Sequence, residues 1–280
     1  MRALTLPDLT GNDAIAIDAH IFRRMLSEGE TEKALEFSEL LLDRTRGPEE
    51  RDHEMEAWLR MERALLGAVE EDKIGMELRW CVDRLSFVSG GSPLHGLSLL
   101  NLATWHRNEG EQMMALVTLS DISSSNGHPN DVIGLSRLES GRILRGMGDH
   151  EPAMRHLWVA MKRLSQSEMS SESLVCGMEW LDIALDDVEN SAPTMSQRIE
   201  EARPRDEPGN SRGPSNPEDI REVVERIFPT ISEDLSGESR DDLGMVIDAG
   251  ELIREPKWAQ IIRARIGEIQ DSRVIEALQS

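Results

Sequence analysis

Met147-Gly148-Asp149-His150-Glu151-Pro152-Ala153-Met154 decides the fold, because the same phrase occurs twice earlier in the chain. The other copies are Glu28-Gly29-Glu30-Thr31-Glu32-Lys33-Ala34-Leu35 and Glu109-Gly110-Glu111-Gln112-Met113-Met114-Ala115-Leu116. Each reads glycine, acid, three variable residues, alanine, apolar residue. A stripe at helical spacing precedes each glycine: Ile15, Ala19, Phe22, Met25 and Leu26; Leu97, Leu100, Ala103 and Thr104; Leu135, Leu138, Gly141, Ile143 and Leu144. Glycine closes a helix by adopting the left-handed conformation that a side chain resists. The acid suits the positive end of the next helix, and the alanine lets two helices approach closely. The phrase therefore predicts a helical hairpin, repeated.

Working outward, a small residue stands seven positions before the glycine in two copies, Ala103 and Gly141, where the first copy has Phe22. Twelve positions after the glycine stand Leu41, Ile122 and Ala160, all apolar. These features resemble the tetratricopeptide (TPR) repeat family, and the copy from Gly141 through Ala160 is the best match. The resemblance implies antiparallel helix pairs stacked into a right-handed superhelix. Glycines 29 and 110 are 81 residues apart, room for two units, and Gly148 follows 38 residues later. Both spacings exceed the ~34 residues of the standard repeat, which predicts longer loops. A degenerate unit fits between, with Glu56–Val69 as first helix and Lys73–Val88 as second, Gly75 in the small slot and no glycine at the turn. A fifth unit is expected over Glu172–Glu201.

The remaining signals agree on an all-α chain. Tyrosine is absent and alternating β-branched runs are missing. Ser92-Pro93 and Asn216-Pro217-Glu218-Asp219 read as helix starts, and Thr194-Met195-Ser196-Gln197 and Ser239-Arg240-Asp241-Asp242 as capping boxes. Arg203 to Pro217 (RPRDEPGNSRGPSNP) has no apolar residue larger than proline and reads as a mobile linker. The expected organisation is thus a 1–12 extension, a 13–202 repeat body, a 203–217 linker and a 218–280 helical segment.

Composition restricts the function. The 280 residues carry a formal net charge of −22. That field repels nucleic-acid backbones and anionic membrane surfaces, so neither is an expected partner. Cys81 and Cys176 are expected as two reduced core thiols. No stretch has signal-peptide or membrane-span character, and a cytoplasmic location is expected. No Gly-Lys of a P-loop, no His-Glu-x-x-His, no Cys-x-x-Cys and no Gly-x-Ser-x-Gly occurs. The expectation is a non-enzymatic scaffold that binds a protein or peptide, with no cofactor, no metal and no catalytic residue. Two alternatives stay open. One is an enzyme or regulatory subunit whose site assembles from scattered residues such as His20, His106 and His156. The other, opposed by the net charge, is a helical-repeat RNA binder.

Two surfaces are candidate sites. The resemblance implies that first helices line a concave groove, which would place Arg23, Arg107, Arg142 and Arg145 there. Arginine's planar fork suits the carboxylate of a bound peptide. The Lys/Asn pattern of the chaperone-binding TPR clamp is missing, so that subfamily's ligand is not implied. The second surface is the stretch from Leu164 to Gln197, which contains no Lys or Arg. There Asp182, Asp186 and Glu189, three and four apart, would share a helix face and dock a basic partner or the Arg-rich linker just downstream. Trp58, Trp80, Trp105, Trp158 and Trp180 are expected in core or inter-repeat packing.

Overall fold

The computed structural model describes residues 11–48, 50–201 and 213–279. It is 76% helical, and its one β pairing among the described residues is an isolated bridge between Val188 and Ser215. The fold is all-α. It divides into two compact units, Met1–Pro129 and Asn130–Ser280.

The first unit holds α1 (Gly11–Ser27), α2 (Thr31–Arg46), α3 (His53–Leu65), α4 (Ile74–Ser89), α5 (Pro93–Asn108) and α6 (Gln112–Ser120), each packed on the next in chain order. Its core joins Phe22, Leu41, Trp58, Leu59, Met61 and Cys81. The Phe22 and Trp58 rings meet edge to face at 5.5 Å. Burying side chains of this size contributes about 1.5–3 kcal/mol each.

The second unit holds α7 (Asn130–Gly146), α8 (His150–Gln166), α9 (Ser170–Ala184), α10 (Met195–Glu200), α11 (Pro217–Glu233), α12 (Asp241–Leu252), α13 (Lys257–Ala264) and α14 (Ser272–Gln279). Here α7 packs on α8, α8 on α9, and α9 on both α11 and α12. Trp158, Trp180 and Trp258 are fully buried in its core.

The hairpin turns form as the repeated phrase predicts. Gly29, Gly110 and Gly148 have φ of +78°, +79° and +85°. In each turn the glycine N–H donates three residues back and the acid's N–H five residues back, for example Gly148 to Arg145 O and Asp149 to Leu144 O. This is the Schellman pattern, which satisfies the carbonyls that a helix end leaves open. The alanines of the phrase, Ala34, Ala115 and Ala153, are all 0% exposed. Helices α7 and α8 lie so close that a Cβ at Gly141 would stand 2.9 Å from Leu157 Cγ.

Four expectations need correction. The α3 turn does have a glycine: Gly67 has φ +77° and makes the same pair of bonds. It stands earlier than the degenerate unit's spacing suggested, because a 3₁₀ turn at Glu71–Lys73 lengthens the connection. The fifth hairpin lacks a full second helix. Six-residue α10 packs on α8, and α11 takes the place against α9. The division falls at 129/130, and the helices after residue 217 share the core of α8 and α9. Finally, α12 begins after Arg240 without a side-chain cap from Ser239. Of the expected linker, residues 203–212 lie outside the described residues. Its end is held: Ser215 N–H donates to Asp187 O at 2.8 Å, and Asn216 Nδ2 donates to Ala192 O at 2.6 Å.

Candidate functional site

The four groove arginines come to rest on internal partners. Arg142 on α7 donates from Nε to Glu179 Oε1 at 2.8 Å and from Nη1 to Glu139 Oε1 at 3.0 Å. These carboxylates, Glu179 foremost, raise its proton affinity above the ordinary arginine value. Arg145, one turn on, donates from Nη2 to Asp182 on α9. Arg23 lies over the Trp58 ring, 4.5 Å from its centroid, and Arg107 in the last turn of α5 is engaged as well. This corrects the expected strip of free cations. The arginines of α7 hold α9, 37 residues further along the chain.

The acidic face is changed too. Helix α9 ends at Ala184, so only Asp182 is on it. The chain leaves the helix at Leu185, and Val188 then bridges to Ser215. Two consecutive acids, Asp186 and Asp187, oppose the negative end of the helix macrodipole, a physical reason to stop there. Glu189 is drawn to Ser191, whose hydroxyl donates to its carboxylate. Asp182 and Asp186 instead line a cavity of about 380 Å³ with Asp241, Asp248 and Asp271, in which Arg273 bonds both Asp271 and Asp241.

The structure assembles a third feature that the sequence reading did not single out. A cleft of about 310 Å³ in the second unit is lined by Arg137 of α7, Pro152, Arg155, His156 and Val159 of α8, and Ile199 of α10. Arg137 makes no hydrogen bond or ion pair among the described residues. Burial, then the neighbouring Arg163, lowers its proton affinity below the arginine norm. Burial, then Arg137 and Arg155, pushes His156 down to about 4. The imidazole is neutral at physiological pH, and its buried Nδ1 has no hydrogen-bond partner among the described residues. The nearby carboxylate, Glu151, is bonded by Arg198 at 2.9 Å and lies 3.8 Å from Arg155. A sequence signal for Arg137 exists. Thirty-seven residues beyond Arg142 and Arg145 stand acids, whereas 37 beyond Arg137 stands Leu174.

The other histidines are scattered. His20 is exposed, while His106 is buried with Nδ1 2.5 Å from Glu111. His95 and His128, both buried, stack with centroids 5.1 Å apart. Cys81 and Cys176 are free and buried, as expected, and burial pushes each thiol up to about 12. Among the described residues no cluster of three or more His, Cys, Asp or Glu side chains is arranged for a metal ion, and no helix is long and apolar enough to cross a membrane. Trp58, Trp158 and Trp180 are core residues. Trp80 and Trp105 are half-buried, with Arg60 3.6 Å from the Trp80 centroid.

No protein-family model matches the chain, and a search of curated proteins returns no significant match.

Proposed function

We propose that the chain is a non-enzymatic interaction scaffold of TPR-like hairpins, the hairpins of each unit stacking in chain order and presenting a surface to a protein or peptide partner. The observation that carries this reading is the recurrent hairpin, a Schellman turn on glycine followed by a fully buried alanine. Stacked units of this kind leave extended surfaces that single-domain cores do not. The motif-free sequence supports a binding role over chemistry, and the net charge supports a protein partner over RNA.

The test uses the full chain, because truncation after residue 202 would strip α11 from the core of α9. Affinity capture from the native host, followed by titration calorimetry with the purified partner, is expected to give a stoichiometric complex. Catalytic turnover by the full chain alone, or RNA affinity at physiological salt that exceeds any protein affinity, would overturn the reading.

A further inference from the structure

We infer that the cleft between α7, α8 and α10 is a ligand site for a carboxylate carried beside an apolar group, such as the end of a peptide with an apolar last residue. The inference rests on the scaffold reading only for the source of that carboxylate.

The first argument is charge. Net acidity gives most cations of this protein an internal acid, as Arg142, Arg145 and Arg198 show. Arg137 has none. The charges that act on Arg137 and on His156 are all cationic: Arg163 on the first, Arg137 and Arg155 on the second. Among the described residues the Arg163 side chain bonds the neutral amide of Asn130, at 2.5 Å. Desolvating like charges together is unfavourable unless an anion joins them. Glu151 does not fill that role for the cleft, since its short bond goes to Arg198.

The second argument is shape and lining. A space of about 310 Å³ is at the small end of ligand pockets, roughly 300–1,000 Å³, and suits a side chain with its carboxylate rather than a large cofactor. Pro152, Val159 and Ile199 give one wall apolar, while Arg137 and Arg155 supply forked donors for a carboxylate. Both kinds of group belong to one ligand. An inorganic oxyanion would leave the apolar wall unused, and an uncharged apolar ligand would leave Arg137 unpaired.

The experiment is a titration of the full chain, labelled at arginine Nε and histidine ring carbons, followed by NMR. The probes are N-acetylleucine, uncharged N-acetylleucinamide and inorganic phosphate. N-acetylleucine is expected to shift Arg137 and His156 saturably. It should bind at least tenfold tighter than either other probe. Arg137→Gln is expected to weaken it at least tenfold with the rest of the spectrum unchanged. Arg155→Gln serves the same purpose should the first variant fail to fold. The inference is overturned by the absence of saturable shifts, by equal binding of the leucinamide or of phosphate, or by unchanged affinity in the folded variant. Saturable N-acetylleucine binding in a chain that captures no partner would refute the scaffold and leave the site standing. A captured partner with no probe binding would do the reverse.

Discussion

Arg198→Met is the substitution whose cost the structure defines most fully. Arg198 is 8% exposed and reaches three separate segments. Its Nη1 donates to Glu151 of α8 at 2.9 Å, its Nε to Pro193 O at 3.1 Å, and its Nη2 to Pro214 O. The pair with Glu151 is 7% and 8% exposed on its two sides. Methionine keeps most of the volume but removes every donor. Among the described residues the buried Glu151 carboxylate would retain Arg155, 3.8 Å away. Breaking a buried pair by removing one partner costs about 3–5 kcal/mol, and the carbonyls of Pro193 and Pro214 lose bonds as well. Partial rescue by Arg155 places the expected loss near 3 kcal/mol. Urea unfolding measures it as a fall in midpoint at constant slope, and hydrogen exchange at residues 213–217 should rise in parallel. Glu151→Gln in the same background should recover part of the loss by removing the stranded charge, with a coupling energy of roughly 0.5–3 kcal/mol. A loss under about 1 kcal/mol with unchanged exchange would show that Arg198 does not anchor that segment.

Other outcomes follow from packing and titration. At Gly177 of α9 an added Cβ would stand 2.5 Å from Ile227 Cγ2 and 3.3 Å from Val223 Cγ1. Gly177→Ala should therefore destabilise by about 1–3 kcal/mol in urea unfolding, and an unchanged midpoint would contradict the α9–α11 packing. Cys81 and Cys176, both pushed up to about 12 by burial, should resist a disulfide reagent at pH 8 and react on unfolding; rapid reaction of the native protein would place a thiol at the surface. His156, lowered to about 4 in the folded chain, binds its proton more tightly when unfolded. Its contribution is therefore present above about pH 6.5 and falls by roughly 3 kcal/mol as pH drops to 4. Asp219, raised to about 6 by burial, has the opposite slope, so the test is the wild type against His156→Gln, which should show the weaker acid loss; parallel pH curves would refute it.

What the sequence made legible is what a single turn encodes. The phrases at Gly29, Gly110 and Gly148 place both the helix end and the buried alanine within six residues, so they located three hairpins without reference to anything distant. The fifth pair failed because its solution is non-local. The stretch after α9 offers a good capping box at Thr194 but only six helical residues. The apolar stripe that α9 needs comes from Ile220, Val223 and Ile227, beyond the residues the structure leaves undescribed. The arginines divide along the same line. Which face of α7 they occupy was readable, but whether each meets an acid depends on the neighbouring helix. Here the spacing is informative: Arg142 of α7 finds Glu179 of α9 and Arg145 finds Asp182, each 37 residues further along the chain. Salt bridges of this exposure contribute little each, and their consequence is electrostatic: they remove cations from the surface offered to a ligand. Thirty-seven residues beyond Arg137 stands Leu174 rather than an acid, and the cleft sets Arg137 with a neutral histidine, so its charge meets no carboxylate bond among the described residues. Arg163 too bonds a neutral amide rather than an acid, so what directs attention to Arg137 is the combination: a cation with no hydrogen bond or ion pair among the described residues, set in a cleft with Pro152, Val159 and Ile199.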